Sequence, residues 1–384
     1  MEIVSVGSSS SGNSYIINTA GSVIILDVGL PAKRILGALE GLGIEPEEVD
    51  AVLITHEHTD HVKSVRAISR KCCNAVFYAS RGTVESTPNF AYVPENRVHI
   101  VHAGDHFGLP PFSEEKDNET SSVDIENHYN INAGKGLLAT NDSQEWSPTS
   151  VKTGNGNALY RTSKAIVEVG RSDFFYSASM VAETTELYYG KIGKEVSISV
   201  FALSHDAAEP VGFSIEAGDE KLSVVTDTGI ITEEIFDAIK DSDMLVFEAN
   251  HDEQMLLFGE YPYHVKMRIK SEHGHLSNEY AGDVLAEIIR YRSAALSEMK
   301  HLRPQNVING KVNDTDCEPA GESRYSLEKV NPVHILLAHL SFHNNAPFFA
   351  RQAVEEALQK AGFTNGKDYM LEVASRDELT VLST

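Results

Sequence analysis

A short apolar stretch that ends in a cluster of titratable side chains is the feature that most constrains this chain. Residues 51–54 are AVLI, and THEHTDH follows at 55–61. A continuous apolar run of this length is typical of a strand buried on both faces. Imidazole and carboxylate groups are the usual ligands of zinc, manganese and iron, and a loop after a strand can direct several of them to one point. The pattern therefore predicts a metal site at the end of a buried strand.

The spacing within this loop indicates two metal ions. His56 and His58 are two residues apart, so extended backbone places them on one face, whereas Asp60 and His61 begin the next predicted helix. Two pairs of ligands suggest two ions. The alternative is a solvated polar loop without a metal. We disfavour it because HxHxDH after a buried strand is far more specific than a lone HxH.

Further residues of ligand type end other apolar strand patterns later in the chain. His205 follows SISVFAL, Asp227 follows LSVV, and His339 follows HILLA. Strand ends are places where a rigid sheet presents functional residues. A structural histidine or a turn aspartate would explain any one of them alone. The three together predict a site that is shared with the HxHxDH loop.

Strand and helix patterns interleave along the first 110 residues. Strand patterns at MEIVSV, SYIINT and SVIILD precede a helix pattern that Pro31 opens. A further helix is predicted from Asp60 to Lys71, because apolar residues recur there at three-residue spacing. This order predicts an α/β or α+β fold.

Two segments interrupt the pattern and are predicted to be insertions. The first spans about residues 110–195 and begins with a stretch rich in Asn, Ser, Thr, Gly and acids, and the second spans about 293–330. No repeat accompanies them. We therefore predict a single domain, residues 1–384, that carries both insertions.

Charge and cysteine content narrow the functional classes. The chain has 32 Lys and Arg against 56 Asp and Glu, and its net charge of −24 argues against a broad electrostatic surface for nucleic acid. Three cysteines are too few for a disulfide framework, and no run of about 18 apolar residues occurs. We therefore expect a soluble cytoplasmic protein without a membrane partner. The sequence leaves its oligomeric state open.

These motifs resemble the metallo-β-lactamase fold superfamily, whose motifs run Asp, HxHxDH, His, Asp, His. Asp27 in ILDVG matches the first motif. The resemblance implies a four-layer αββα sandwich with a centre of two divalent ions, Zn or Mn, at one edge of its sheets. It implies that one ion binds His56, His58 and His205, that the other binds Asp60, His61 and His339, and that Asp227 bridges them. Asp27 would orient a ligand through a hydrogen bond, unless it is only a turn or capping residue.

Further blocks resemble the YycJ/WalJ-type branch of this superfamily, which is regarded as a 5′-to-3′ double-strand DNA exonuclease group. The blocks are GSSSSGNSYII, SHDAAEPVGF, VVTDTG, FEANHD, YPYHVKMRIKS, GHLSN and AHLSFHNN. The resemblance implies a metal-dependent phosphodiesterase that acts on DNA ends. Capture of one terminus needs little non-specific attraction, so the acidic balance lowers this expectation without reversing it. The alternatives are a small-molecule hydrolase of the same fold, acting on a cyclic phosphodiester or thioester, and a non-catalytic metal-binding regulatory protein.

Loops between these blocks supply the predicted substrate-binding and catalytic residues. A phosphate could be held by the loop of Ser9, Ser10, Ser11, Gly12 and Asn13 through its small side chains and backbone N–H groups, although an ordinary hairpin turn also explains it. Lys266 and Arg268 belong to the densest basic run, which a solvated helix face explains equally well. The predicted catalytic residues are Asp60 and His275. His275 would protonate a leaving oxygen, or it merely caps a backbone group.

Overall fold

The computed structural model of the chain describes residues 1–109, 196–301 and 332–383, together with three short strands at 150–152, 158–162 and 165–169. By its contacts the chain divides into two compact units. The first comprises Met1–Pro111 and Glu195–Thr384, and the second comprises Phe112–Lys194. Most of the two predicted insertions lies outside the described residues.

Strands and helices interleave along the described residues. The strands are β1 (Glu2–Gly7), β2 (Ser14–Thr19), β3 (Ser22–Leu26), β4 (Val49–Leu53), β5 (Val76–Ser80), β6 (Val98–Val101), β7 (His106–Leu109), β8 (Ser150–Lys152), β9 (Ala158–Thr162), β10 (Ala165–Val169), β11 (Val196–Ala202), β12 (Val211–Ala217), β13 (Glu220–Val225), β14 (Met244–Glu248), β15 (Val333–Ala338), β16 (Tyr369–Val373) and β17 (Thr380–Ser383). The helices are α1 (Ala32–Gly41), α2 (Thr59–Val62), α3 (Val65–Lys71), α4 (Arg81–Ser86), α5 (Glu233–Ile239), α6 (Glu253–Phe258), α7 (Tyr263–Ile269), α8 (Asn278–His301) and α9 (Pro347–Lys360). Three short 3-10 helices span Pro46–Glu48, Pro88–Tyr92 and Glu95–Arg97.

Helix α8 continues past residue 293, where the sequence predicts the second insertion to begin. Among the helices of the described residues, none combines the length and the apolar character that a membrane span requires. Strands β8, β9 and β10 belong to the second unit and form an antiparallel sheet of their own.

The first large sheet has the strand order β17-β1-β2-β3-β4-β5-β6. Strands β1, β2 and β3 are antiparallel neighbours, and β3 to β6 are parallel. Strands β2 and β3 form a hairpin, in which Ala20 and Gly21 make the turn with φ of 49° and 80°. Because β1, β3 and β4 run in the same direction, the loops that follow them lie at one edge of the sheet.

The second large sheet has the order β16-β15-β14-β13-β12-β11-β7. It repeats the plan of the first, with two antiparallel connections from β11 to β13 and parallel pairing from β13 to β16. The ends of β11, β13, β14, β15 and β16 therefore lie at one edge. Each sheet also contains one strand from the other half of the chain, since β7 pairs with β11 and β17 pairs with β1.

The buried residues form three layers of core, so the fold has four layers of secondary structure. Side chains of both sheets, including Tyr15 and Phe213, pack against each other between the sheets. Ile35 of α1 and Ile68 of α3 cover the outer face of the first sheet. Residues of α5, α8 and α9 cover the second. The expected αββα sandwich is confirmed.

The prediction of a helix from Asp60 to Lys71 is wrong in one respect, because the structure has two helices there, α2 and α3. At the break, the Ser64 N–H donates to the Val28 carbonyl at 2.9 Å and the Ser64 hydroxyl donates to the Leu30 carbonyl at 2.6 Å. These acceptors belong to the loop after β3. The break therefore fastens α2, the helix that carries two candidate ligands, to that loop.

Candidate metal centre

The loops at one edge of the sandwich bring together the seven residues predicted as metal ligands. Ligand atoms of His56, His58 and His205 lie within 4.8 Å of one another, and so do those of Asp60, His61 and His339. Asp227 contacts both sets. Its carboxylate oxygens lie 3.3 Å from Nε2 of His61 and 3.3 Å from Nε2 of His339 in one set, and 3.8 Å from Nε2 of His205 in the other. The arrangement can hold cations in two adjoining positions.

Contacts on one ring nitrogen orient the imidazoles. The Nδ1 atoms have as partners Asp27 at 2.7 Å for His61, Glu248 at 2.8 Å for His339, the Gly274 carbonyl at 3.2 Å for His205, and the Thr55 hydroxyl at 3.1 Å for His56. These four rings therefore present Nε2 to the cluster. His58 instead presents Nδ1, which lies 3.3 Å from Nε2 of His205. Fixing a ligand ring through its second nitrogen is the usual arrangement at protein metal sites.

Several of the ligand atoms lack a hydrogen-bond partner. They are Nε2 of His56, Nε2 of His339 and Oδ2 of Asp227, all of them buried and without a hydrogen bond among the described residues. A buried polar atom without a partner is costly, so each such atom calls for an explanation. Divalent cations would satisfy all three, because neutral imidazole and carboxylate are ligands that zinc and manganese accept. The residues present thus fit a divalent-metal centre.

The charge balance of the cluster also favours cations. Burial alone would lower the pKa of His339, but Asp227 and other carboxylates nearby raise it to about 10. The pKa of His61 is raised in the same way, because Asp227 and Asp27 outweigh burial. Burial and the neighbouring imidazoles lower the pKa of His56, which keeps that ring neutral. Carboxylates that stabilise protons on two rings would stabilise metal cations in the same place.

The backbone is left-handed at three residues that line the cluster. The φ angles of Asp27, Asp227 and His339 are 58°, 60° and 57°, and the other non-glycine residue with positive φ in the described ranges is Ala20. Asp and His tolerate this region better than most residues, but it still costs energy and persists only where the surroundings impose it. Each of the three lies one or two residues past a strand. The turn directs the side chain into the cluster.

Close backbone packing holds the HxHxDH loop. A Cβ atom on Gly29 would lie 1.5 Å from the carbonyl oxygen of Asp60 and 2.7 Å from the nitrogen of His61. No side chain fits in that space. The loop after β3 therefore approaches α2 at backbone distance, and its N–H and C=O groups help to hold the helix: the Val28 N–H donates to the His61 carbonyl at 2.8 Å.

Glu248 belongs to the cluster but is absent from the predicted site residues. It is fully buried at the end of β14 and accepts hydrogen bonds from Nδ1 of His339 at 2.8 Å and Nδ1 of His275 at 2.9 Å. Burial would raise its pKa, but His275 and His339 lower it. The signal that could have found it is the one that points to Asp227 and His339, because Glu248 also ends an apolar strand.

His275, predicted as catalytic, is a partly exposed imidazole at the cluster. Its side chain is 19% exposed, whereas those of His61 and His339 are buried. Its ring centroid lies 5.1 Å from that of His205 and 5.2 Å from that of His339. Because Nδ1 donates to Glu248, Nε2 is the nitrogen left to contact a substrate. A catalytic role for His275 stays a prediction.

The predicted phosphate loop has a buried side and an exposed side. Ser9, Gly12 and Asn13 are buried, whereas Ser10 and Ser11 are exposed. The Asn13 amide accepts from the Ser8 hydroxyl at 2.9 Å, and its nitrogen lies 3.2 Å from Nε2 of His61. The Ser8 hydroxyl in turn accepts the His339 N–H at 2.8 Å. The buried side supports the ligands, and Ser10 and Ser11 are the members open to solvent.

The two predicted basic contacts are engaged within the protein. The Lys266 ammonium donates to the carbonyls of Leu257 at 2.8 Å and Gly259 at 2.7 Å, which fastens α6 to α7. The Arg268 guanidinium pairs with Asp206, the residue after His205. That pair joins α7 to the β11–β12 loop. A role for either cation in substrate binding stays a prediction.

Comparisons with known proteins identify the family. The profile described as the metallo-beta-lactamase superfamily matches residues 9–150, and that of the beta-lactamase superfamily domain matches 157–295. Exodeoxyribonuclease YycJ of Bacillus anthracis is 24% identical over 364 residues, which are 95% of this chain and 91% of that protein. Exodeoxyribonuclease WalJ of Streptococcus pneumoniae is 26% identical over 303 residues, which are 79% of this chain and 82% of that protein. A ribonuclease of Thermus thermophilus is 34% identical over 87 residues, which are 22% of this chain and 20% of that protein.

The sequence similarity and the structure indicate the same family. The two profiles are almost contiguous and together cover more than half of the chain, and both exodeoxyribonucleases align with most of it. The αββα sandwich carries its cluster of histidines and carboxylates where the motif order of the resemblance leads us to expect it. The chain therefore belongs to the metallo-β-lactamase superfamily, in its YycJ/WalJ-type branch, and is a metal-dependent hydrolase.

Proposed function

We propose that the protein is a nuclease with two divalent metal ions, Zn or Mn, that degrades double-stranded DNA from its 5′ ends. The names of its exodeoxyribonuclease relatives support a nucleic-acid substrate. The observation that carries the proposal is the pair of Glu248 and His275, which adjoins the ligand cluster and leaves one imidazole nitrogen open to a substrate. We also propose a cytoplasmic location, because Cys72 and Cys73 are free thiols, as a reducing compartment would keep them.

The proposed assignment of ligands follows the two sets. One ion would bind His56, His58 and His205, the other would bind Asp60, His61 and His339, and Asp227 would contact both. When bound, such ions supply positive charge that binds a phosphodiester and activates water. A carboxylate between the two positions, in place of a thiolate, suits the hard oxygen ligands of a phosphate.

The proton for the leaving oxygen would come from His275. The buried carboxylate of Glu248 accepts Nδ1–H of His275, which fixes the orientation of the ring. Nε2 then carries the proton toward the substrate. Because the same carboxylate accepts Nδ1–H of His339, one buried group orients both a candidate ligand and the proposed acid. Asp27 has the simpler role of orienting His61.

A small-molecule phosphodiesterase is the second candidate, and the net charge of −24 favours it. Such an enzyme would use the same centre and the same proposed acid. The two candidates differ in the substrate that reaches the centre, so substrate form is the discriminating measurement.

The test compares linear duplex DNA labelled at the 5′ or the 3′ end with covalently closed circles and a cyclic dinucleotide, in Mn²⁺ or Zn²⁺. We expect release of the 5′ label from linear duplexes and intact circles. His275→Gln should slow this release about a hundredfold or more while metal content, measured by elemental analysis, stays unchanged. Equal cleavage of circles, or release only from 3′ ends, would refute the proposal. Hydrolysis of the cyclic dinucleotide alone would favour the second candidate.

A further inference from the structure

Arg376 lies at the sheet edge that carries the candidate ligands. It follows β16, the parallel neighbour of β15, which ends just before His339. Two hydrogen bonds tie this position to the centre: the Ser8 N–H donates to the Ser375 carbonyl at 3.3 Å, and the His339 N–H donates to the Ser8 hydroxyl at 2.8 Å. Arg376 therefore flanks the candidate metal centre, next to the loop that contains Ser10 and Ser11.

An exposed aromatic ring holds the Arg376 side chain. The guanidinium carbon lies 4.0 Å from the centroid of the Phe342 ring, three residues past His339. Phe342 is 60% exposed, so part of its ring is open to solvent. Stacking of this kind fixes the plane of a guanidinium while its N–H donors stay free to bind an anion.

The Arg376 guanidinium has no carboxylate partner in the described part of the chain. Its Nε atom is buried and makes no hydrogen bond there, and the adjacent Asp377 faces Arg34 instead, at 4.0 Å. The chain has 56 acidic residues against 32 basic ones, and other arginines pair with acids, such as Arg351 with Glu372 at 3.0 Å. An arginine with unused donors is therefore conspicuous at this edge.

We propose that Arg376 and Phe342 form a subsite for the terminal nucleotide of the DNA strand, in which the guanidinium binds the 5′-phosphate. The guanidinium offers donors in a fork that matches phosphate oxygens, and an aromatic face beside it suits a sugar or a base. The inference rests on the proposed nuclease function and adds the residue that distinguishes a phosphorylated end. It places phosphate recognition on Arg376 rather than on Lys266 or Arg268, whose cations are already engaged.

The test measures kcat/KM on linear duplexes that carry either a 5′-phosphate or a 5′-hydroxyl. Wild-type protein should prefer the phosphate. Arg376→Gln should lower kcat/KM for the 5′-phosphate substrate about tenfold to a hundredfold and leave the 5′-hydroxyl substrate nearly unchanged, because only the former has the charge-assisted bonds to lose. Arg376→Lys, which keeps the charge but loses the fork, should retain part of the preference.

A matched control is Arg66→Gln. Arg66 also stacks on an aromatic ring, and its guanidinium carbon lies 3.8 Å from the centroid of Tyr92. Arg66 belongs to α3, however, and Tyr92 belongs to the 3-10 helix that contacts α3. This variant should leave both substrates unaffected. Phe342→Leu should lose part of the phosphate preference, because the guanidinium is no longer held. Metal content and Tm are measured for every variant to establish that it is folded and loaded.

The outcomes separate this inference from the function on which it rests. If wild-type protein degrades linear DNA but Arg376→Gln affects both substrates equally or neither, the subsite is overturned and the nuclease proposal stands. The same follows if wild-type protein does not distinguish the two ends. If it releases no nucleotides from linear DNA at all, the nuclease proposal fails and the subsite falls with it.

Discussion

The two sheets of the sandwich contribute to the centre in different ways. The first sheet supplies four candidate ligands from the single loop His56–His61 after β4. The second supplies one residue from each of four separate strand ends, namely His205, Asp227, Glu248 and His339. Local loop geometry therefore positions the ligands from the first sheet, and sheet topology positions the residues from the second. A local disturbance should move several ligands of the first sheet together, but only one residue of the second.

Removing the residue that connects the ligands of the two sheets should have the largest effect on kcat. Asp227 comes from the second sheet, yet it contacts His61 of the first and His339 of its own. Asp227→Ala should lower kcat at least about a thousandfold, or about 4 kcal/mol, because charge stabilisation at the reacting phosphate is lost. Elemental analysis should find both ions reduced. Full retention of one ion would show that its three other ligands hold it without Asp227.

A paired comparison of orienting carboxylates should give the next largest effect. Among the imidazoles of the described residues, Asp27 of the first sheet contacts that of His61, whereas Glu248 of the second contacts those of His339 and His275. Asp27→Asn and Glu248→Gln should each weaken metal binding about tenfold to a hundredfold. At saturating metal, kcat should recover in Asp27→Asn but stay about a hundredfold low in Glu248→Gln. Metal titrations of activity measure both quantities, and equal kcat values would contradict a role for Glu248 beyond ligand orientation.

A substitution that displaces the backbone beside the HxHxDH loop tests whether the ligands of the first sheet move together. Gly29→Ala places a Cβ against the Asp60 carbonyl, so α2 must shift, at a cost of about 1–3 kcal/mol. Gly37 of α1 is the matched control, because a Cβ there meets nothing within 4 Å and alanine should stabilise the helix by about 0.5–1 kcal/mol. Thermal unfolding and metal content are the measurements. Unchanged values for Gly29→Ala would show that the loop adjusts without moving its ligands.

The smallest and most gradual effect concerns pH. Without metal, the pKa of His339 is about 10 in the folded protein against an ordinary value of 6.5, so the folded state binds more protons between these pH values. Metal-free protein should therefore lose stability as pH rises through this range. Metal-loaded protein should not, because cations replace the protons. Unfolding temperatures with and without a chelator should diverge as pH rises, and curves that stay parallel would contradict this charge balance.

The sequence predicts the ligands of the first sheet better than the residues of the second for a physical reason. HxHxDH is contiguous, so strand and helix periodicity alone places its members near one another. Glu248 ends an apolar strand, as Asp227 and His339 nearly do, but its place in the cluster also depends on the position of β14 between β13 and β15. The helix break at Ser64 depends on carbonyl acceptors from the distant loop after β3, and Arg376 gains its position only through the pairing of β16 with β15. What remained unpredicted depends on contacts between residues far apart in the chain.

The exchange of strands between the sheets means that neither half of the chain can complete its sheet alone. Because β7 pairs with β11 and β17 pairs with β1, each half of the chain carries a strand that completes the sheet of the other. Two polypeptides made by cutting between Leu109 and Val196 would each display an open sheet edge and half a centre. Neither should bind metal tightly alone. Mixed, they should reassemble by mutual strand donation, so recovery of tight metal binding would report fragment complementation.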